Sequence, residues 1–179
     1  MLRPNDDPAA TLDRGALEAL YARLEKPVFN VAYRWLWNRD DALEVTQEAF
    51  LRLWNMRTRV DMTTVEPLVF RIALNLAARR RRSRRLWGWL SMEAAADRPA
   101  PEAGADERLA ERQAEATVRA AIEALPEKLK RVVVLLELSG LGHAEVARTL
   151  GIPMGTVASR KHAAMRQLEG SLGRLGEVA

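Results

Sequence analysis

The chain has 179 residues, 48% hydrophobic and 29% charged, the balance of a folded protein with room for one domain or two small ones. Its 28 Lys+Arg against 24 Asp+Glu leave a net charge of only +4, so total charge says little about partners, and the absence of cysteine excludes disulfides, thiolate metal sites and cysteine nucleophiles. The N-terminal MLRPNDDPAA has no signal-peptide core, and the longest apolar run, Val132 to Leu136, is far too short to span a bilayer, so the sequence reads as a soluble cytoplasmic chain with no membrane insertion.

Helical period recurs almost throughout, and no segment keeps the alternation of a strand. Leu17, Leu20, Tyr21 and Leu24 make one stripe; Val28, Ala32, Trp35 and Leu36 make a second that begins after Pro27. These predict two packed helices. A third is expected from about Asp40 to Trp54, and a fourth from about Glu66 into the arginine run, opened by Thr63-x-x-Glu66 as a capping box. Ser91 to Asp106 is rich in Ala, Pro and acid with no large apolar residue except Met92, and reads as a linker. Helices are then predicted over Leu109–Leu125, Glu127–Leu138, His143–Leu150 and about Gly155–Leu172. The run VVVLL within the second of these has strand propensity, but the stripe of Leu129, Val132, Val133 and Leu136 favours a helix.

The expected fold is therefore all-α: a four-helix N-terminal domain over residues 1–88, a flexible linker over 89–108, and a helix-turn-helix domain over 109–179. In that last domain Ala147, Leu150, Ile152 and Val157 would lock two helices together, while Gly151 supplies the left-handed residue of the turn. On a helical wheel Val157, Ala164, Met165, Leu168 and Leu172 form the packing side of the second helix. Ala158, Ser159, His162 and Arg166 face away, where Ser159 and His162 can hydrogen-bond base edges, Ala158 can touch a thymine methyl, and Arg160 and Arg166 suit phosphate or guanine. Lys161 falls irregularly within the apolar stripe.

Charge is segregated along the chain. Asp41, Glu44 and Glu48 share one face of the third predicted helix, with Leu43, Thr46, Phe50, Leu53 and Trp54 opposite and Val45 and Leu51 flanking the acids; such a face suits a basic, partly apolar protein surface or is simply solvated. Residues 79–85, RRRRSRR, hold six arginines in seven positions. Arg71, Asn75, Arg82 and Arg85 lie on one face with Arg79 close by, and Val69, Ile72, Ala73 and Leu76 pack; a cationic face of this length fits phosphate neutralisation. Trp87 and Trp89 would anchor the helix end or stack on bases, and Trp35, Trp37 and Trp54 would be core.

Together these segments resemble the extracytoplasmic-function class of bacterial sigma factors. DALEVTQEAFLRLW is similar to that family's core-polymerase-binding helix, PLVFRIALNLAARRRRSRR to its minus-10 recognition helix, and LPEKLKRVVVLLELSGLGHAEVARTLGIPMGTVASRKHAAMRQL to its minus-35 domain. The resemblance implies a non-catalytic initiation factor without cofactor or metal. Its partners would be core RNA polymerase, through the beta-prime and beta subunits, promoter DNA, and an anti-sigma protein. It assigns Asp41, Glu44, Gln47 and Glu48 to the polymerase clamp helices. The loop 57–66 would capture a flipped minus-10 base, with Arg71, Asn75, Arg79 and Arg82 along the displaced strand; Ala158, Ser159, Arg160, His162 and Arg166 would take the minus-35 element. Ala163 and Met165 stand where the family carries basic residues, and Lys161 where it carries an aliphatic, which weakens the phosphate grip. Two other readings fit parts of the sequence: a helix-turn-helix regulator that acts without polymerase, and a helical adaptor that binds proteins only.

Overall fold

The structure, a computed structural model, describes residues 12–90 and 105–176, with side chains over 12–84 and 113–173. Seven α-helices follow in chain order: α1 Arg14–Leu36, α2 Arg39–Asn55, α3 Val65–Leu90, α4 Ala105–Ala124, α5 Glu127–Leu138, α6 His143–Leu150 and α7 Met154–Gly176. A short 3-10 turn, Arg57–Arg59, lies between α2 and α3. The linker expected at 89–108 falls mostly outside the described residues, as do the side chains of Arg85, Trp87 and Trp89.

The first half is three α-helices rather than four. Pro27 sits inside a single continuous α1, although a mid-helix proline costs ~3 kcal/mol through its missing N–H and its ring. Leu20, Leu24, Val28, Val31, Ala32 and Trp35 form one unbroken buried stripe on both sides of it. Each such side chain removed from water contributes about 1.5–3 kcal/mol, so packing against α2 and α3 outweighs the local penalty. Asp13 caps α1, its carboxylate accepting from the Ala16 N–H at 2.7 Å. The helix ends at Trp37, a non-glycine residue in the left-handed region with φ 52°. Asn38 immediately caps α2 by accepting from the Asp41 N–H at 2.9 Å, so two helices turn on one corner.

The capping box expected at Thr63 and Glu66 does not form. Asp61 caps the turn instead, its carboxylate accepting from the Thr63 N–H at 2.9 Å and hydroxyl at 2.7 Å, and these bonds hold its pKa below the usual carboxylate value. Glu66 reaches across to Arg23 on α1 at 2.5 Å.

In the second half the VVVLL run is helical, as the stripe predicted, and the structure explains its continuous apolarity. Helix α5 packs on α7 and α6 on one side and on α1 on the other, so Val132, Val133, Val134 and Leu135 are all buried. The buried apolar residues of the first half continue without a break into Val132, Leu135, Val146 and Val157. A smaller cluster of Leu125, Leu129, Val133 and Ala164 ties α4 and α5 to α7.

Candidate nucleic-acid and polymerase interfaces

The turn between α6 and α7 closes by backbone chemistry. The Ile152 N–H donates to the Ala147 carbonyl at 3.0 Å and the Gly151 N–H to Arg148 at 3.3 Å, the paired bonds of a Schellman motif, with Gly151 left-handed at φ 65°. A Cβ on Gly151 would meet nothing within 4 Å, so the requirement is conformational rather than spatial. Gly151→Val is expected to lower stability by about 1–2 kcal/mol, and Gly151→Asn by less; chemical denaturation of the two variants measures the difference. Val157 is fully buried and Ala147 nearly so, while Leu150 and Ile152 are half-buried around the turn.

That lock holds α7 outward. Ala158, Ser159, His162 and Arg166 are all exposed and share one side, the Ser159 hydroxyl resting on the Thr156 carbonyl at 3.1 Å. Arg160 departs from this set: it is half-buried over a cleft with Glu127, Lys128 and Arg131 of α5. Lys161 is half-buried, and its ammonium pairs with Glu137 at 3.2 Å. Met165 and Leu172, expected on the packing side, are 37% and 39% exposed, whereas Ala164 and Leu168 pack against the α5 residues Leu129 and Val133.

Helix α2 is rotated from the wheel expected of it. Val45, placed beside the acidic stripe by periodicity, is 1% exposed, and Leu43, placed on the core side, is 39% exposed. Asp41 is buried and turned toward α3, where it pairs with Arg80 at 2.9 Å and Arg84 at 2.5 Å. Glu44 also meets Arg80, whose guanidinium it holds more firmly protonated than usual. Gln47 is exposed, and Glu48, half-exposed, pairs among the described residues with Arg52 of its own helix, at 2.6 Å. Leu51 stands out at 62% exposure beside them.

The arginine run thus divides in two. Arg80, Arg81 and Arg84 turn inward to acids, Arg81 meeting Glu123 of α4 at 2.8 Å. Arg71, Asn75 and Arg79 are exposed and have no ion pair among the described residues. Arg82 is also exposed but leans back, its Nε donating to the Ala78 carbonyl at 3.4 Å beside a cavity that Trp35 and Lys130 also line. The structural half of this run was missed in the sequence, which set Arg79, Arg82 and Arg85 on or near the nucleic-acid face and gave Arg80, Arg81 and Arg84 no role; the signal available was the 100° step that separates 80, 81 and 84 from 71, 75 and 79. The loop ahead of α3 forms one wall of a cleft of about 430 Å³ lined by Arg59, Asp61, Thr64 and Arg71, with Arg148 and Thr149 of α6 opposite.

A second polar cluster joins the halves. The Glu123 carboxylate receives the Lys130 ammonium, Arg81, and the Trp37 indole N–H at 3.0 Å. Burial opposes its charge, but Lys130 and Arg81 prevail and keep its pKa below the ordinary carboxylate value; burial weakens Lys130 as a base. The Lys130 ammonium also lies 4.9 Å from the centre of the Trp35 ring, whose own indole N–H is buried without a hydrogen-bond partner among the described residues. No cluster of His, Asp and Glu able to hold a metal occurs among the described residues, and no helix there is long and apolar enough to cross a membrane.

The chain matches two protein families in order: Sigma-70 region 2 over residues 20–86 and Sigma-70 region 4 over residues 115–168. It is 32% identical to the ECF RNA polymerase sigma factor SigE of Mycolicibacterium smegmatis over 186 residues, covering 97% of this chain and 71% of that one. It is 28% identical to the ECF RNA polymerase sigma factor SigW of Bacillus subtilis, covering 84% and 85%. Among solved structures it is similar in fold to the sigma factor RpoE bound to the anti-sigma factor NepR from Bartonella quintana, with a TM-score of 0.65 at 19% identity over 87% of this chain and 96% of that one. It is likewise similar to CnrH in complex with the cytosolic domain of CnrY, with a TM-score of 0.68 at 22% identity over 90% of each chain. The region 2 match spans α1 to α3 with its acidic and arginine faces, and the region 4 match spans the helix-turn-helix, so the chain belongs to the extracytoplasmic-function class of RNA polymerase sigma factors.

Proposed function

We propose that this sigma factor binds core polymerase through the exposed acids of α2, follows the displaced minus-10 strand with the outer face of α3, and reads the minus-35 element with α7. As a member of its family it is a transcription initiation factor and not an enzyme. The observation that carries the assignment of faces is the sorting of charge on α2 and α3. Asp41 and Glu44 neutralise Arg80 and Arg84 between the helices, which leaves Gln47 and Glu48 outward on α2 and Arg71, Asn75 and Arg79 outward on α3.

An acidic, Leu51-flanked patch complements a basic protein surface, and an unpaired cationic face complements phosphate, each contact adding ~0.9 to the salt slope on duplex DNA. The loop ahead of α3, with Arg59 and Thr64 at its cleft, is suited to hold an unstacked base. On α7 the base-reading set is Ala158, Ser159 and His162, with Arg166 on phosphate; Arg160, half-buried against α5, contributes at the edge. The solved sigma factor RpoE bound to the anti-sigma factor NepR supports an anti-sigma protein as a further partner, and work with polymerase would take place in the cytoplasm.

The test is transcription by sigma-free core polymerase, with the purified chain added, from a library of random promoters. Selected sequences with two separated elements are the expected outcome; no chain-dependent transcription would sink the reading. In the same assay His162→Ala is expected to change preference at one or two minus-35 positions by about 1–3 kcal/mol, with core binding unaltered. An unchanged preference would mean that α7 presents another face.

A further inference from the structure

We propose that the cavity beside Trp35 is a binding site for a small phosphate ester, held by Arg82 and by the first turn of α5. The cavity measures about 260 Å³ and is lined from α1, α3, α4 and α5. Pockets for drug-sized ligands run to about 300–1,000 Å³, so this one suits a phosphate on a short carbon chain rather than a nucleotide. Three cations line it, Arg81, Arg82 and Lys130, with two acids, Glu123 and Glu127. Both acids are already engaged: Glu123 holds Lys130 and Arg81, and Glu127 is bound by Arg131 at 2.8 Å. Arg82 is the lining cation left over, with no ion pair among the described residues. It lies close to whole helical turns from Arg71 and Asn75, which is why the sequence set it on the nucleic-acid face. Its Nε nevertheless turns back beside the cavity to the Ala78 carbonyl, at a long 3.4 Å. That bond uses little of a guanidinium with five donors, two of which can grip one phosphate together.

Two sets of neutral donors point to the same class of ligand. Trp35 lines the cavity and is 2% exposed, and its indole N–H is buried without a hydrogen-bond partner among the described residues. A buried donor in that state is costly, and a phosphate oxygen would satisfy it. Helix α5 begins at Glu127 behind Pro126 with no side chain capping it, and Glu127 and Lys130 of its first turn both line the cavity. The first N–H groups of a helix and the positive end of its dipole favour an anion. Lys130 and Arg81 add positive charge at the same wall without leaving Glu123. An arginine fork, an indole donor and a helix start around one small cavity are the elements of a phosphate cradle.

The chain has five tryptophans, hence five indole N–H signals in a proton–nitrogen correlation spectrum, and Trp35→Phe identifies the one at the cavity. Titration of the full chain with inorganic phosphate at constant ionic strength should shift that signal saturably, with a Kd of about 1 mM or tighter. Glycerol 3-phosphate should bind at least as well. Arg82→Gln should weaken phosphate binding by about tenfold, the effect of losing a charge-assisted hydrogen bond. Lys26→Gln, at an exposed position of α1, removes the same charge and should leave binding unchanged. In Trp35→Phe, followed through the backbone amides of Glu127 and Lys128, affinity should fall about fivefold, as for the loss of one neutral donor. Circular dichroism establishes that each variant is folded. The site is refuted if the Trp35 signal shows no saturable shift, or if folded Arg82→Gln and Lys26→Gln chains bind phosphate alike. Succinate, a dianion without the tetrahedral head, should bind more weakly; equal affinity would overturn the phosphate assignment. Neither polymerase nor promoter DNA enters the titration, so its outcome is independent of the functional reading above.

Discussion

Trp35→Ala will lower the free energy of unfolding by about 3–5 kcal/mol, a large part of the 5–15 kcal/mol typical of a domain. The indole is 2% exposed and lies where α1 meets α5, beneath the Lys130 ammonium and, at 5.6 Å, the Arg131 guanidinium. Truncation would leave a cavity where α1 and α5 join the cores of the two halves, together with two cations stripped of their aromatic partner. Trp35→Phe should cost much less, because it keeps a ring there and removes an indole N–H that is buried without a partner, itself a penalty of about 1–3 kcal/mol. Urea denaturation followed by far-UV circular dichroism checks both. A Trp35→Ala chain within about 1 kcal/mol of wild type would mean that α1 and α5 do not share a core.

Glu44→Arg combined with Glu48→Arg is expected to weaken core-polymerase binding by about 30-fold or more, the ~2 kcal/mol that marks the residues dominating an interface. Reversal replaces attraction to a basic surface with repulsion, and the loss should shrink at high salt. The structure also supplies the control. Among the described residues Glu48 pairs with Arg52 on its own helix, an exposed contact worth about 0.3–0.5 kcal/mol, so Glu48→Arg alone tests binding with little disturbance of the fold. Glu44 touches Arg80, so its reversal also loosens the α2–α3 network, although Asp41 still holds Arg80 and Arg84. Fluorescence anisotropy of the labelled chain titrated with core polymerase measures both. An affinity unchanged in the double variant at low salt would assign the polymerase face elsewhere.

Where residues a few positions apart set a helix boundary or a packing stripe, periodicity located it well. Helix α6 was legible to the residue from its flanking glycines, and the packing positions Val69, Ala73 and Leu76 of α3 are all buried. Failures came where residues distant in the chain decided the outcome. Pro27 looked like a boundary because the gain from burying Val28, Val31 and Trp35 together is not local. Leu43 and Val45 exchanged places because the azimuth of α2 is set jointly by α1 and α3, and the buried Asp41 is admitted to that face only because Arg80 and Arg84 arrive from α3.

The sequence by itself determined the helical class, the order of the two sigma regions and the identity of the turn between α6 and α7, since each depends on residues a few positions apart and on backbone conformations that only certain side chains favour. Tertiary structure alone decided which arginines of the run are spent on Asp41 and Glu123 and which remain for nucleic acid, and whether the two halves stand apart or close on Glu123. Those outcomes depend on polar and charged groups brought together across 36 to 86 positions of chain, a separation over which neither periodicity nor spacing carries information.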